Sequence, residues 1–169
     1  GYAVLLADAI KINGKVQANN ALVSAGNFTM DNSSGSVTSA GKKATLIQMT
    51  VNPQYSIDVS SLGGIEANSI SMVGNNIGFG VRNKGSIISN GTLMLTSNGN
   101  LLNKGSITGK GLLSQVSTVT GITNDGSIAG AYYLMLSSGD YIVNTGSLSG
   151  GQLIATANGN ITNGDSGTM

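Results

Sequence analysis

The sequence predicts an all-β chain, a right-handed parallel β-helix (solenoid) with coils of about 20 residues. Three observations carry this. A signature (apolar residue, any residue, Asn, any residue, then Gly-Ser-Ile or Gly-Ser-Leu) recurs at Asn83, Asn103, Asn124 and Asn144, with a reduced copy at Asn163. Between the signatures, apolar residues alternate with polar ones in short runs, the period-2 mark of strands with one buried face. The composition is 40% hydrophobic and only 9% charged, with 26 Gly and a single Pro, which suits strands and tight corners and argues against disorder. A period near 20 is too short for two packed helices.

Taken in order, the first half follows the pattern loosely. Gly14 to Asn19 resembles Gly85 to Asn90, while Leu22 to Asn27 and Ile70 to Asn75 resemble Leu93 to Asn100. The register fails between Phe28 and Gly64, where an Asn32-to-Ser36 turn signal, the Lys42-Lys43 pair and Pro53 lie. An extra-helical loop or hairpin is expected near residues 30–45, with Lys42 and Lys43 solvated at its tip and the helix resuming by Ser56 to Leu62.

The second half is regular. Val81, Leu101, Ile122, Ile142 and Ile161 stand two residues before each Asn, and Ile87, Ile107, Ile128 and Leu148 stand four after it. A second apolar pair follows: Leu93 and Leu95, Leu134 and Leu136, Leu153 and Ala155. Leu113 continues the first of these columns with Gln115 beside it. Each coil therefore reads strand, turn, strand, turn. Stacking at about 4.8 Å files the aliphatic residues inside, and eight such coils make a rod of about 40 Å. The Gly two after each Asn is expected to supply a positive φ at a corner.

Asn83, Asn103, Asn124 and Asn144 form the expected structural ladder, bonded amide to amide. A sugar-binding Asn face is the competing reading; the ladder is favoured because buried polar groups must be paired. The aromatic cluster is Tyr132, Tyr133 and Tyr141. Alternation from Leu134 and Leu136 points Tyr132 inward and Tyr133 outward, so Tyr133 and Tyr141 are the candidate contact residues.

Catalytic, cofactor and metal residues are all expected to be none. Without His or Cys there is no Ser-His-Asp or Cys-His centre and the commonest zinc ligands are missing. Asp58 and Glu66 are the only carboxylates close in sequence, and a glycosidase needs two facing one bond; Asp58 reads as a turn or strand-end residue. Gly139-Asp140 and Gly164-Asp165 are isolated, unlike calcium nonapeptide repeats. Net charge is +1, with no Lys/Arg run to attract nucleic acid. No apolar run of about 18 residues exists, so no membrane span is expected. Gly1 reads as a cut within a larger protein rather than the start of a signal peptide.

Ile57 to Gly74, with Asp58-Val59-Ser60 and Leu62-Gly63-Gly64, followed by Gly78-Phe79-Gly80-Val81-Arg82-Asn83-Lys84-Gly85, resembles the end of the secretion domain in two-partner-secreted bacterial exoproteins. That family includes filamentous haemagglutinins, large haemolysins and contact-dependent growth inhibition exoproteins. Gly91 onward is similar to the first haemagglutinin-type repeats, and Ala7 to Gly14 to late secretion-domain coils. The chain departs from the family near Glu66, where a bulky residue is usual, and Asn52-Pro53 falls too late to be the Asn-Pro motif of the domain's capped start.

The resemblance implies residues 1–75 as the C-terminal part of a secretion domain and 76–169 as filament repeats. It implies a secreted protein displayed at the bacterial surface, an outer-membrane transporter as partner during export, and a host or neighbouring-cell receptor or glycan. The expected function is structural presentation of an adhesive or toxic tip by a non-enzymatic monomer with no cofactor; a glycan-binding segment is the alternative.

Overall fold

The computed structural model describes residues 1–30, 33–34, 37–40 and 55–169, and every regular element among them is a strand. The chain winds into a parallel β-solenoid of about six turns. Among the described residues, seven rungs at about 4.8 Å make a shaft about 29 Å long, against the expected eight coils and about 40 Å.

Each coil has three faces. The first is a seven-stranded parallel sheet of β2 (Ile10–Ile12), β6 (Tyr55–Val59), β8 (Gly80–Asn83), β11 (Leu101–Asn103), β14 (Ile122–Asn124), β16 (Ile142–Asn144) and β18 (Ile161–Asn163). The other two faces share a nine-stranded sheet, because β3 (Lys15–Ala25), β7 (Gly64–Gly74), β15 (Ser127–Ser138) and β17 (Ser147–Ala157) run round the bend between them. On the second face β9 (Ser86–Ser89) and β12 (Ser106–Gly109) lie between β7 and β15; on the third β10 (Leu93–Ser97) and β13 (Leu113–Thr118) lie between them and β1 (Tyr2–Ala7) flanks β3. The expected two strands per coil become three because the run from Val81 to Ile87 breaks at Asn83. The Asn83 side chain accepts from Gly85 N at 3.1 Å and turns the backbone onto the second face.

The core is a set of vertical files. Ile57, Val81, Leu101, Ile122 and Ile142 stack inside the first face; Ile65, Ile87, Ile107, Ile128 and Leu148 inside the second; Ile70 and Leu93, then Leu134, inside the third. Each of these side chains is essentially inaccessible to water, a gain of about 1.5–3 kcal/mol apiece.

Two register expectations are corrected on the third face. Ser114 pairs with Leu93 and Leu134, and Val116 with Leu95 and Leu136, so Leu113 and Gln115 do not occupy the inner files. The chain takes seven residues from Ile107 to Ser114 but six from Ile87 to Leu93, and the extra residue at the Gly109–Leu112 bend shifts the strand by one. Leu22 likewise pairs with Val4 and Ser71, in the outward column that continues to Met94, leaving Ala21 in the file with Ile70.

The expected hairpin is present: β4 (Asn27–Met30) pairs antiparallel with β5 (Val37–Ala40). It starts at Gly26, whose φ of 139° lets the chain turn away from the stack. The helix resumes at Tyr55. Lys42, Lys43, Asn52 and Pro53 lie outside the described residues. No helix among the described residues is long and apolar enough to cross a membrane.

Candidate functional site

The most ordered polar feature is a ladder inside the bend between the first and second faces. Asn83, Asn103, Asn124 and Asn144 are wholly buried. Asn83 Nδ2 donates to Asn103 Oδ1 at 2.9 Å, Asn103 to Asn124 at 2.8 Å, Asn124 to Asn144 at 2.8 Å and Asn144 to Asn163 at 2.9 Å. Each Nδ2 also reaches a carbonyl of the next coil, Ser106 O from Asn83 at 3.1 Å and Ser127 O from Asn103 at 3.0 Å. From Asn83 upward the ladder ties each coil to the next with the amides of Asn83, Asn103, Asn124 and Asn144 buried and withheld from any sugar; its last rung, Asn163, is exposed. Lower in the same file stand Val59 and Ile12, so it begins at Asn83.

The corner glycines differ from expectation. Among the described residues only Gly26 and Gly78 have positive φ. Gly85, Gly105, Gly126 and Gly146 are needed because a Cβ there would collide with a carbonyl oxygen of the coil beneath, that of Gly63, Gly85, Gly105 and Gly126 respectively. The constraint is stacking rather than left-handed backbone.

A small charged cluster sits outside the first face. Arg82 donates to both carboxylate oxygens of Asp58, Nε at 2.9 Å and Nη2 at 2.7 Å, and its guanidinium lies 4.5 Å from the Tyr55 ring centre. That bond holds the Asp58 carboxyl below its ordinary range and raises Arg82. The cluster joins the first strand after the insertion to the coil above it. Asp58 is thus the penultimate residue of its strand, fitting the strand-end expectation rather than the turn, and forms an ion pair there; Glu66 lies on the other sheet, exposed. No group of three or more Asp, Glu, His or Cys able to hold a metal occurs among the described residues.

The tyrosines are rearranged. Tyr132 is 58% exposed, not inward, because the pairing of β15 with β17 shifts between Gly130 and Tyr133 and breaks the alternation. Tyr133 stands on the outside of the third face, paired with Leu113 and Gln152. Tyr141 is half-buried on the Gly121 position of the coil below, where a Cβ would meet its ring.

Two curated proteins are similar to this shaft. Toxin CdiA of Yersinia pestis is 30% identical over 105 residues, 62% of this chain. The tRNA nuclease CdiA-2 of Burkholderia pseudomallei strain 1026b is 36% identical over 102 residues, 60% of this chain. The chain spans about 3% of the length of each. No family model matches, and neither does any solved structure. The second relative's name describes an enzyme, so the non-enzymatic expectation applies at most to this segment.

Proposed function

We propose that this chain is a structural and presentation segment of a secreted bacterial surface exoprotein, of the kind that delivers contact-dependent toxins and is exported through a two-partner outer-membrane transporter. The observation that carries the reading is the likeness to two very long toxins over a stretch that folds as a self-stacking shaft. Nuclease chemistry is the named property of one relative; in this reading it belongs to another part of such a protein, and this segment holds it away from the producing cell.

Residues 1–75 act as late secretion-domain coils and 76–169 as filament repeats. In support, the Asn ladder begins at Asn83, while the equivalent positions below it are Val59 and Ile12. Coils that stack one upon another can fold in sequence outside the cell, and that propagation draws the remaining chain outward.

The test is export of the long exoprotein carrying Ile107→Asp and Ile128→Asp, two buried charges in one file. The reading expects export to fall sharply; undiminished export refutes the coupling of folding to transport. A second reading, a glycan- or receptor-binding segment, draws on the outward Tyr133 and on Tyr141, and a glycan array on the isolated chain tests it.

A further inference from the structure

The third face differs from the other two in its chemistry. Its strand segments 2–7, 20–25, 69–74, 93–97, 113–118, 133–138 and 152–157 contain no charged residue. Described charges gather elsewhere: Lys11, Asp58 and Arg82 share the outer column of the first face, and Lys15 and Glu66 stand on the second. Near the middle of the third face, Met94, Met135 and Ile154 protrude from one outward column, with Gln115 between the two methionines. Tyr133 flanks that column, and Leu112 and Tyr132 are exposed at the adjoining bend. Exposed Met and Tyr with no Lys, Glu or Asp is the composition of a protein interface core, and an apolar patch of this extent marks an interaction site. Toward Tyr2, the small Ser69 and Ser71 leave an apolar hollow of about 330 Å³ between Leu22 and Met94.

We propose that this face docks on the same face of a second copy of the chain, forming a weak two-fold dimer. The occupant follows from charge and area. Placing the face against itself brings no like charges together, which a self-complementary contact requires. The chain's net charge of +1 adds little long-range repulsion. Seven rungs at about 4.8 Å by six residues at about 3.3 Å give a footprint near 600 Å² per copy, about 1,200 Å² in all. That is the low end for a specific interface, so the dimer is concentration-dependent rather than obligate. The hollow at Ser69 and Ser71 gives a protruding side chain of the partner a place to insert. A sugar is the poorer occupant, because the central column offers a single amide, Gln115, among Met94, Met135 and Ile154. The inference stands apart from the export reading and replaces the monomer expected from the sequence.

Sedimentation of the 169-residue chain from about 1 to about 500 µM tests it, a range over which a weak, concentration-dependent dimer dissociates. The weight-average mass should climb from 16.9 kDa toward twice that value. The double variant Gln115→Glu/Met135→Glu should stay at the monomer mass, while Thr123→Glu on the first face should associate like the parent. Circular dichroism checks that each variant is folded; if Met135→Glu is not, Gln115→Glu alone, polar for polar, carries the test. A parent that stays monomeric throughout overturns the proposal. So does a double variant that associates like the parent, which would mean contact through the shaft ends. Glycan binding abolished by Tyr133→Ser in a chain that never dimerises also overturns it, in favour of a sugar.

Discussion

Replacing one rung of the amide ladder by its acid, Asn103→Asp, changes a single NH2 to an oxygen and keeps the side-chain shape. In the parent, Asn103 Nδ2 faces three acceptors: Asn124 Oδ1 at 2.8 Å, Ser127 O at 3.0 Å and Gly105 O at 3.2 Å. The acid leaves Asn124 Oδ1 and Ser127 O without this donor and sets a buried carboxylate against all three oxygens. Two buried acceptors stripped of a partner cost about 1–3 kcal/mol each, so the loss at neutral pH should be about 2–6 kcal/mol. Burial and facing oxygens both push the new carboxyl upward from its reference near 3.9. A raised acid takes up its proton in the folded state first. The deficit relative to the parent is therefore full above the folded pKa and shrinks as pH falls toward about 4, by at most about 1.4 kcal/mol per pH unit. Urea unfolding followed by far-ultraviolet circular dichroism, on parent and variant at neutral and mildly acid pH, measures both. A neutral-pH loss under about 1 kcal/mol, or a deficit that does not change with pH, refutes the buried, donor-dependent ladder.

Other outcomes follow from single residues. Ser114→Ala should be neutral or stabilising by about 1 kcal/mol in the same assay, because Ser114 Oγ is buried in an aliphatic file without a hydrogen-bond partner. Gly105→Ala should cost 3 kcal/mol or more, roughly the upper range for overpacking, since its Cβ would strike the Gly85 carbonyl; Gly164→Ala, which makes ordinary contacts with the Thr145 methyl at 3.4 Å and the Asn144 carbonyl oxygen at 3.6 Å, should cost under about 0.5 kcal/mol. Asp58, lowered by Arg82, adds stability that is present above its unfolded pKa and lost as pH falls through the lower folded value. Acid titration of Arg82→Gln should therefore show a shallower loss of stability than the parent, and an identical acid limb would contradict the pairing.

What was legible in the sequence was whatever repeats with the coil. The Asn spacing located the bend between the first and second faces, and the files of Ile87, Ile107, Ile128 and Leu148 could be read from position alone. Failures occur where a local event breaks the count. One added residue at the Gly109–Leu112 bend moved Leu113 and Gln115 out of the core files, and the register shift after Gly130 turned Tyr132 outward. The split of one strand into the first and second faces was missed because the Asn83 corner lies inside what reads as one alternating run. The glycines were identified correctly as corner residues but for the wrong reason, since a clash with the coil beneath cannot be read from one coil. The uncharged third face needed the pairing register before its scattered Met and Tyr residues came together.

Equivalent side chains of successive coils lie one above another. Methyl-labelled nuclear Overhauser spectroscopy of the Ile and Leu side chains tests it without altering the chain. Ile107 should show direct cross-peaks to both Ile87 and Ile128, and Ile128 to Leu148, with none between Ile87 and Leu148. Absence of the one-rung contacts, or a direct Ile87–Leu148 contact, would contradict the stacked shaft.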